Sequence, residues 1–436
     1  MMQIPAGKIY SRSENYLFAL ISLTIFLDSA LYGLIVPVVP HYATVLGATP
    51  VQVGVIFAVY SAGLLLFGIP AGIAGDRYGY KPLLVLGMAG LTLATVAFAF
   101  SGQIWLLAVS RLAQGIAGAV TWTAGMALVA VLYPSRRLGR VMGILMTGSG
   151  LGTILGPVLG GVFYQFAGYP APFLAVALAG TVLGVLLWFC RMPTWAKEGD
   201  CNMEDGGENN EWEVEKKKNH GWENKGERPA SRRPGSRLQA EFKQLWQNRK
   251  VGWGLLVVAA GSFGLGLIEP LLPLDLEKRF GLNSAEIGLL FGAFSLFIAL
   301  AQLFFGALSD RLGRKPPLIG GLLFTAVTVP WLAVTPNIQL KTAVLILLGV
   351  AVGAYFAPTM PLLAEATAGD SPANGRYGAT YGLSNTAFSL GLFAGPLAGT
   401  LIAQRWGLFT ATLVYAVLLL LVAAGVTARL QETLKK

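Results

Sequence analysis

The sequence predicts an all-α membrane protein whose twelve transmembrane helices form two related six-helix halves. Three observations support this fold class. Hydrophobic residues make up 54% of the 436-residue chain and charged residues only 12%, whereas soluble domains carry about 25% charged residues. Apolar runs long enough to cross a bilayer recur along the chain. Sequence patterns of the first half also return in the second half.

Runs of about 20 mostly apolar residues mark the predicted spans. Those of the first half are 16–40, 51–74, 82–101, 104–132, 140–166 and 171–191, and those of the second half are 251–275, 286–308, 317–335, 341–364, 377–403 and 408–428. The stretch 193–249 is polar and poor in apolar residues, so we expect a largely disordered linker there. It separates an N-terminal half at 1–192 from a C-terminal half at 250–436.

Basic residues concentrate in the connections on one side of the predicted spans. If both termini lie inside, the outer connections hold only Lys278, Arg279, Lys341 and Arg405. Because cytoplasmic loops carry the excess of Lys and Arg, we expect both termini in the cytoplasm. The same rule accounts for the formal charge of +10 without a nucleic-acid partner.

The chain repeats itself at a nearly constant offset. The segments 33–40, 53–57, 72–79 and 152–160 return at 266–273, 287–291, 306–313 and 391–399, which are offsets of 233 to 239 residues. Six helices per half give both halves the same orientation in the membrane. In such parallel repeats a substrate site lies between the halves, near the bilayer midplane.

A glycine- and charge-bearing loop follows the second predicted span and its repeat. It contains Gly72, Asp76 and Arg77 in the pattern Gly-x-x-x-Asp-Arg-x-Gly, and the repeat contains Asp310 and Arg311. The pattern resembles the signature loop of the major facilitator superfamily. We expect each aspartate to face the positive end of a helix in the other half and so latch one conformation. The alternative is a solvated turn whose charges set the topology.

The fifth predicted span carries a glycine-rich run, 148–161. Glycines four residues apart line one helix face, and Pro157 bends the helix, so tight packing against a neighbouring helix is expected. The run also resembles a motif associated with the proton-driven drug antiporter branch of that superfamily.

Three charged residues lie well inside predicted spans, away from their ends, where burial in lipid costs several kcal/mol. They are Asp28, Arg111 and Glu269. A carboxylate shielded from water in a cavity can hold either a proton or a cationic substrate, so Asp28 and Glu269 are candidates for both roles. The alternative for Asp28 is a structural carboxylate bonded to the backbone. Arg111 is either a coupling partner for a carboxylate or a structural arginine bonded to carbonyls.

The chain as a whole resembles the vesicular amine transporters, outside the central linker. The resemblance rests on Leu27-Asp28, on 36–40, on 111–116 and on Glu269-Pro270. It implies that Asp28 and Glu269 serve amine binding and proton coupling. Three positions depart from the family: Tyr60 replaces a lysine, Asn385 its partner aspartate, and Phe356 a further aspartate. A neutral pair in place of a buried ion pair leaves no orphaned charge.

Aromatic residues near these positions could complete a cation–π site. The candidate substrate-binding residues are Asp28, Glu269, Tyr32, Tyr60, Phe356, Tyr381 and Asn385, with Trp122 among the further aromatics, and the candidate proton-coupling residues are Asp28, Glu269 and Arg111. Most aromatics in such proteins only pack, and His41, at an outer helix end, is expected to be interfacial.

The expected function is proton-coupled antiport that exports small organic cations, such as aromatic monoamines or cationic drugs, by alternating access. A proton symporter for a neutral solute and a non-transporting sensor are the alternatives. No metal cluster, nucleophile elbow or phosphate loop is recognisable, so an enzyme, a cofactor and a metal are not expected. We expect a monomer in the plasma membrane of a prokaryote, with protons, the cation and the lipid bilayer as partners.

Overall fold

A computed structural model describes residues 12–133, 135–190, 249–368 and 377–429. Every regular element in these ranges is a helix. The elements are α1 (Arg12–Val45), α2 (Pro50–Tyr78), α3 (Tyr80–Ala99), α4 (Ile104–Leu132), α5 (Ser135–Ala167), α6 (Pro170–Phe189), α7 (Arg249–Phe280), α8 (Ser284–Leu312), α9 (Lys315–Thr328), the short α10 (Trp331–Val334), α11 (Ile338–Ala368) and α12 (Tyr377–Arg429). The linker expected at 193–249 lies outside the described residues up to the start of α7.

Eleven helices in the described ranges are long and apolar enough to cross a membrane. Nine of the twelve predicted spans each coincide with one helix to within five residues at either end. The prediction of twelve differs at two places. The span at 317–335 is α9 and α10 combined across a turn, and the last two predicted spans form one 53-residue element. Within that element Gly407 has non-helical backbone, with φ 85° and ψ 165°, at the predicted boundary between 403 and 408.

The second helix of each half begins and ends in the same way. Thr49 and Asn283 are the N-caps of α2 and α8, and each forms a capping box with the residue three positions on, Gln52 or Glu286. Such reciprocal bonds satisfy two backbone donors that a helix start leaves open. At the other end, Gly79 and Gly313 adopt φ of 90° and 95°, which favours glycine. The internal repeat therefore extends from sequence to helix boundaries.

The glycine-rich run of α5 packs against α1, and its repeat in α12 packs against α7. A Cβ added to Gly156 would lie 2.4 Å from the carbonyl oxygen of Ala30, and one added to Gly395 would lie 2.2 Å from that of Phe263. Only glycine permits backbones to approach this closely. The packing that the glycine spacing predicted is therefore confirmed.

Two equivalent glycine contacts join the halves at one end of the bundle. A Cβ on Gly54 of α2 would lie 2.7 Å from the carbonyl oxygen of Pro396, and a Cβ on Gly288 of α8 would lie 2.3 Å from that of Pro157. We call this end, which carries the connections at 46–49 and 281–283, the closed end. The opposite end carries the connections at 79 and 313–314, and we call it the motif end.

Candidate functional site

Asp28 lies halfway along α1 and is only 2% exposed. Its Oδ2 accepts a hydrogen bond of 2.6 Å from the indole Nε1 of Trp122 on α4. Its Oδ1 has no hydrogen-bond partner among the described residues. A Cβ on Gly118 would lie 3.3 Å from Oδ1 and 3.1 Å from the hydroxyl of Tyr60, so a larger residue at this position would crowd both the carboxylate and the phenol. A buried, half-satisfied carboxylate is costly and is relieved by binding a proton or a cation.

Arg111 on α4 is fully buried. Its Nη1 donates to Oε1 of Gln114 over 3.1 Å, and Gln114 donates in turn to Thr95 on α3. Its Nε and Nη2 have no hydrogen-bond partner among the described residues. The guanidinium instead faces two aromatic rings, with Cζ 4.2 Å from the ring centre of Tyr60. Cation–π contact of this kind stabilises a desolvated charge.

A hydrogen bond between the two halves completes the site. The hydroxyl of Tyr32 on α1 donates to Oε2 of Glu269 on α7 over 2.6 Å. The Tyr32 ring lies 5.3 Å from the Tyr60 ring and 5.8 Å from Cζ of Arg111. The site therefore unites two carboxylates, one guanidinium and a pair of tyrosines. Arg111 interacts electrostatically with both Asp28 and Glu269.

A second bond joins α1 and α7 nearer the closed end. Nδ1 of His41 lies 2.5 Å from Oε1 of Glu277, and Tyr164 of α5 packs edge-on against the imidazole. His41 is thus part of a contact between the halves, in addition to the interfacial position expected from the sequence. Nearby on α7, Asp275 pairs with Lys341, which is 1% exposed, and this pair fastens α7 to α11 within the C-terminal half.

At the motif end, Asp76 and Asp310 have partners within their own halves. Asp76 accepts a hydrogen bond from Tyr80, and Asp310 pairs with Arg314. Arg314 also bonds Glu365 on α11 at 3.1 Å. Partial burial works against the charge of Arg314, but its bonds to the two carboxylates raise its pKa above the ordinary value. The predicted latch to the other half stays a prediction.

The remaining predicted site residues are spread more widely. The Phe356 ring packs 4.9 Å from Tyr355 and beside Gly261, while Asn385 is exposed. The side chain of Tyr381 lies outside the described residues. The sequence analysis did not identify Gln114 or Gly118 as site residues. It named Trp122 only among the further aromatic residues that could complete a cation–π site. A glutamine one turn after a buried arginine was the available signal for Gln114.

The comparisons with known proteins identify the family of the chain. The sequence model of the Major Facilitator Superfamily matches residues 21–273 and 254–434. The chain belongs to the major facilitator superfamily, a group of membrane transporters rather than enzymes. An uncharacterized transporter of this type from Schizosaccharomyces pombe, C18.02, is 26% identical over 92% of both chains.

Vesicular amine transporters are also among the relatives. The human synaptic vesicular amine transporter is 26% identical over 82% of this chain and 62% of its own length. The mouse transporter SLC18B1 is 28% identical over 86% of this chain and 77% of its own length. The resemblance to this group that the sequence indicated is confirmed.

Solved structures share the fold. The crystal structure of a bacterial homolog of the human lysosomal transporter Spinster, in an inward-facing and unoccupied conformation, has a TM-score of 0.77 and 16% identity over 96% of both chains. The nucleoside transporter NupG has a TM-score of 0.71 and 13% identity over 94% of this chain and 98% of its own. At these identities the likeness concerns architecture alone.

Proposed function

We propose that this protein is a proton-coupled antiporter that exports small organic cations by alternating access. The charge balance of the buried site carries the proposal. Asp28 and Arg111 are buried and Glu269 is half-buried, and together they bring two negative charges and one positive charge to the middle of the bundle. When all three are ionised, one negative charge is uncompensated. A buried, uncompensated charge is strongly unfavourable, so the site favours binding either one proton or one cation.

That competition is the chemistry of exchange. A cation that binds to the ionised carboxylates excludes the proton, and a proton that neutralises a carboxylate releases the cation. The unpartnered Oδ1 of Asp28 and the indole of Trp122 would hold an ammonium group, with aromatic faces nearby for cation–π contact. The vesicular amine transporters among the relatives support an amine as the cation.

The topology proposed for this function has twelve spans. An element of 53 residues is about 80 Å long at 1.5 Å per residue, whereas the hydrocarbon core is about 30 Å thick. We therefore propose that α12 crosses twice and reverses at Gly407. The motif end, with Arg77, Lys81, Arg311 and Lys315, faces the cytoplasm on the basis of its positive charge. The closed end then faces outward, and the protein works as a monomer in the cell membrane with its two halves, 1–192 and 250–436, rocking about the site.

Proteoliposomes test the proposal directly. Vesicles loaded at acidic pH are diluted into alkaline buffer that contains a labelled monoamine, a choline-like cation or a cationic dye. Antiport predicts that protons leaving the vesicle drive accumulation of at least one cation. Protein-free vesicles and vesicles collapsed with a proton ionophore are the controls. If no member of the panel accumulates above these controls, cation antiport is rejected. Tighter binding of a solute at acidic pH would indicate symport instead.

The first variant to examine is Asp28→Asn. It keeps the size of the side chain and an acceptor for Trp122 but removes the negative charge, so cation binding should weaken at least about thirtyfold. Glu286→Gln is the matched control, because a glutamine also completes the capping box of α8. Scintillation-proximity binding in detergent measures both. Wild-type affinity in Asp28→Asn would remove the residue from the cation site.

A further inference from the structure

We propose that Tyr32 is a positioning residue that holds the empty, deprotonated carrier with its closed end shut until a cation binds. The proposal rests on the proposed antiport and adds a device that prevents uncoupled cycling. It begins with the observation that the Tyr32–Glu269 bond connects two residues 237 positions apart, one in each half.

The ring of Tyr32 is fixed within the N-terminal half. It packs at 5.3 Å against Tyr60, and both rings face the guanidinium of Arg111. Arg111 is itself anchored through Gln114 to α3. The phenol is therefore pre-oriented, and its hydroxyl points out of its own half at Glu269. Little conformational freedom is lost when the bond forms, which favours a strong contact.

The strength of this bond depends on the charge of Glu269. A hydroxyl that donates to a carboxylate forms a charge-assisted bond about twice as strong as a bond to a neutral acceptor. Because the partners belong to different halves, the difference enters the equilibrium between conformations. Ionised Glu269 favours the conformation with the closed end shut, and protonated Glu269 favours it less. The charged and titratable groups facing this bond are Tyr60 on α2 and Arg111 on α4, and Arg111 also interacts with Asp28 on α1.

This dependence suits an exchanger. The carrier must not change conformation when it holds neither proton nor cation, since such a step would dissipate the gradient. In that state Glu269 is ionised, and Tyr32 ties the halves together. An arriving cation competes with Tyr32 for the same carboxylate oxygen and loosens the tie, and a proton does so by neutralising the acceptor. Either ligand therefore releases the carrier.

The transport test uses Tyr32→Phe, which keeps the ring and removes the hydroxyl. Accumulation driven by a pH gradient should fall at least about fivefold, the ratio that corresponds to the difference between a charge-assisted and a neutral hydrogen bond. Cation–cation exchange without a gradient should fall by a clearly smaller factor, so the ratio of accumulation to exchange is the readout. Tyr42→Phe is the matched control, because Tyr42 lies on the same helix and bonds the carbonyl of Ser101 within its own half. Unchanged accumulation in Tyr32→Phe overturns the proposal, as does an equal loss of accumulation and exchange.

A second test needs no transported substrate. Spin labels at positions 45 and 278, which are exposed at the closed end of α1 and α7, report the separation of the halves by pulsed electron resonance in nanodiscs. Raising the pH should enrich the short distance in wild type, and Tyr32→Phe should reduce that enrichment about fivefold. The His41–Glu277 pair is present in both proteins, so its contribution cancels. A full pH response in Tyr32→Phe rejects the inference even if antiport itself has failed its own test.

Discussion

The two halves share a fold and differ in the chemistry they bring to the middle of the bundle. The two halves have equivalent glycine contacts. A Cβ on Gly115 would touch the backbone of Tyr60, and one on Gly349 would touch that of Phe294. In the same way, a Cβ on Gly87 would touch Thr121 and one on Gly321 would touch Tyr355. All four pairs are related by an offset of 234. At that offset Arg111 corresponds to Leu345, Tyr60 to Phe294 and Trp122 to Phe356. At these three positions the N-terminal half carries a polar group and the C-terminal half an apolar side chain.

The position corresponding to Asp28 shows the same contrast. At the offset of 233 found for the first helices, it is Gly261. A Cβ there would lie 2.7 Å from Tyr355 and 2.9 Å from Phe356, so aromatic rings fill the space of the aspartate. Glu269 is the exception, with Val36 as its counterpart. The N-terminal half thus supplies Asp28 and Arg111 to the site. The C-terminal half supplies Glu269, and at the position corresponding to Asp28 it has the aromatic rings of Tyr355 and Phe356.

The largest expected effect is on the charged half. Arg111→Leu gives the N-terminal half the residue of its counterpart and removes the cation that balances two carboxylates, so the free energy of unfolding should fall by about 3–5 kcal/mol. In the C-terminal half, Leu345→Met conserves volume and should cost less than about 1.5 kcal/mol. Titration with sodium dodecyl sulfate measures both.

A double variant sharpens this comparison. Adding Glu269→Gln to Arg111→Leu lowers the number of uncompensated negative charges, and it should recover at least about 1 kcal/mol of the loss. If the free-energy losses of the two single variants simply add in the double variant, charge balance does not stabilise the site.

A smaller difference is expected at the motif end. Arg314→Gln removes bonds to Asp310 and Glu365, whereas Tyr80→Phe removes one bond to Asp76. Both sites are partly exposed, so the free energy of unfolding should fall by about 1 kcal/mol in Arg314→Gln and by about 0.5 kcal/mol in Tyr80→Phe. The Arg314 effect should shrink in 1 M salt and the Tyr80 effect should not. If the loss of stability were independent of salt in both variants, ion pairing would not distinguish the loop at Asp310 from the loop at Asp76.

The smallest effect should be equal in the halves. Lys81 donates to the carbonyls of Trp188 and Cys190 at the end of α6, and Lys315 donates to that of Thr427 near the end of α12. Cations that cap a helix C-terminus contribute about 0.3–1 kcal/mol. Lys81→Met and Lys315→Met should each lower stability by that amount in thermal unfolding. A difference above about 1 kcal/mol would show that the repeat does not extend to these caps.

The sequence predicted the charged members of the site because a charge in an apolar run is conspicuous. Asp28, Arg111 and Glu269 each interrupt such a run, and the structure brings all three together. It could not predict the bonds of Tyr32 and Trp122, since aromatic residues conform to the apolar pattern. Their partners depend on how helices that are distant in sequence cross. The pairing suggested for Tyr60 and Asn385 came from resemblance alone, and Tyr60 instead stacks on Arg111 while Asn385 is exposed.

The fold could be predicted from the sequence more reliably than the ends of its helices could. Hydropathy detects the part of a helix that lies in lipid, so α1 extends beyond its predicted span of 16–40 to Arg12–Val45. The last two spans were separated by composition, but the backbone stays helical on both sides of Gly407. The repeated segments of the sequence correspond to equivalent caps and glycine contacts in the structure, because those depend on local spacing.

The contacts between the halves at Gly54 and Gly288 are sensitive to small increases in side-chain size. At both places a backbone of one half touches the other where only a hydrogen atom fits. A single methyl group at either position would act as a wedge and favour the opposite tilt of the carrier. In the proposed rocking mechanism, the balance between the two conformations would therefore respond to a change from glycine to alanine at either position.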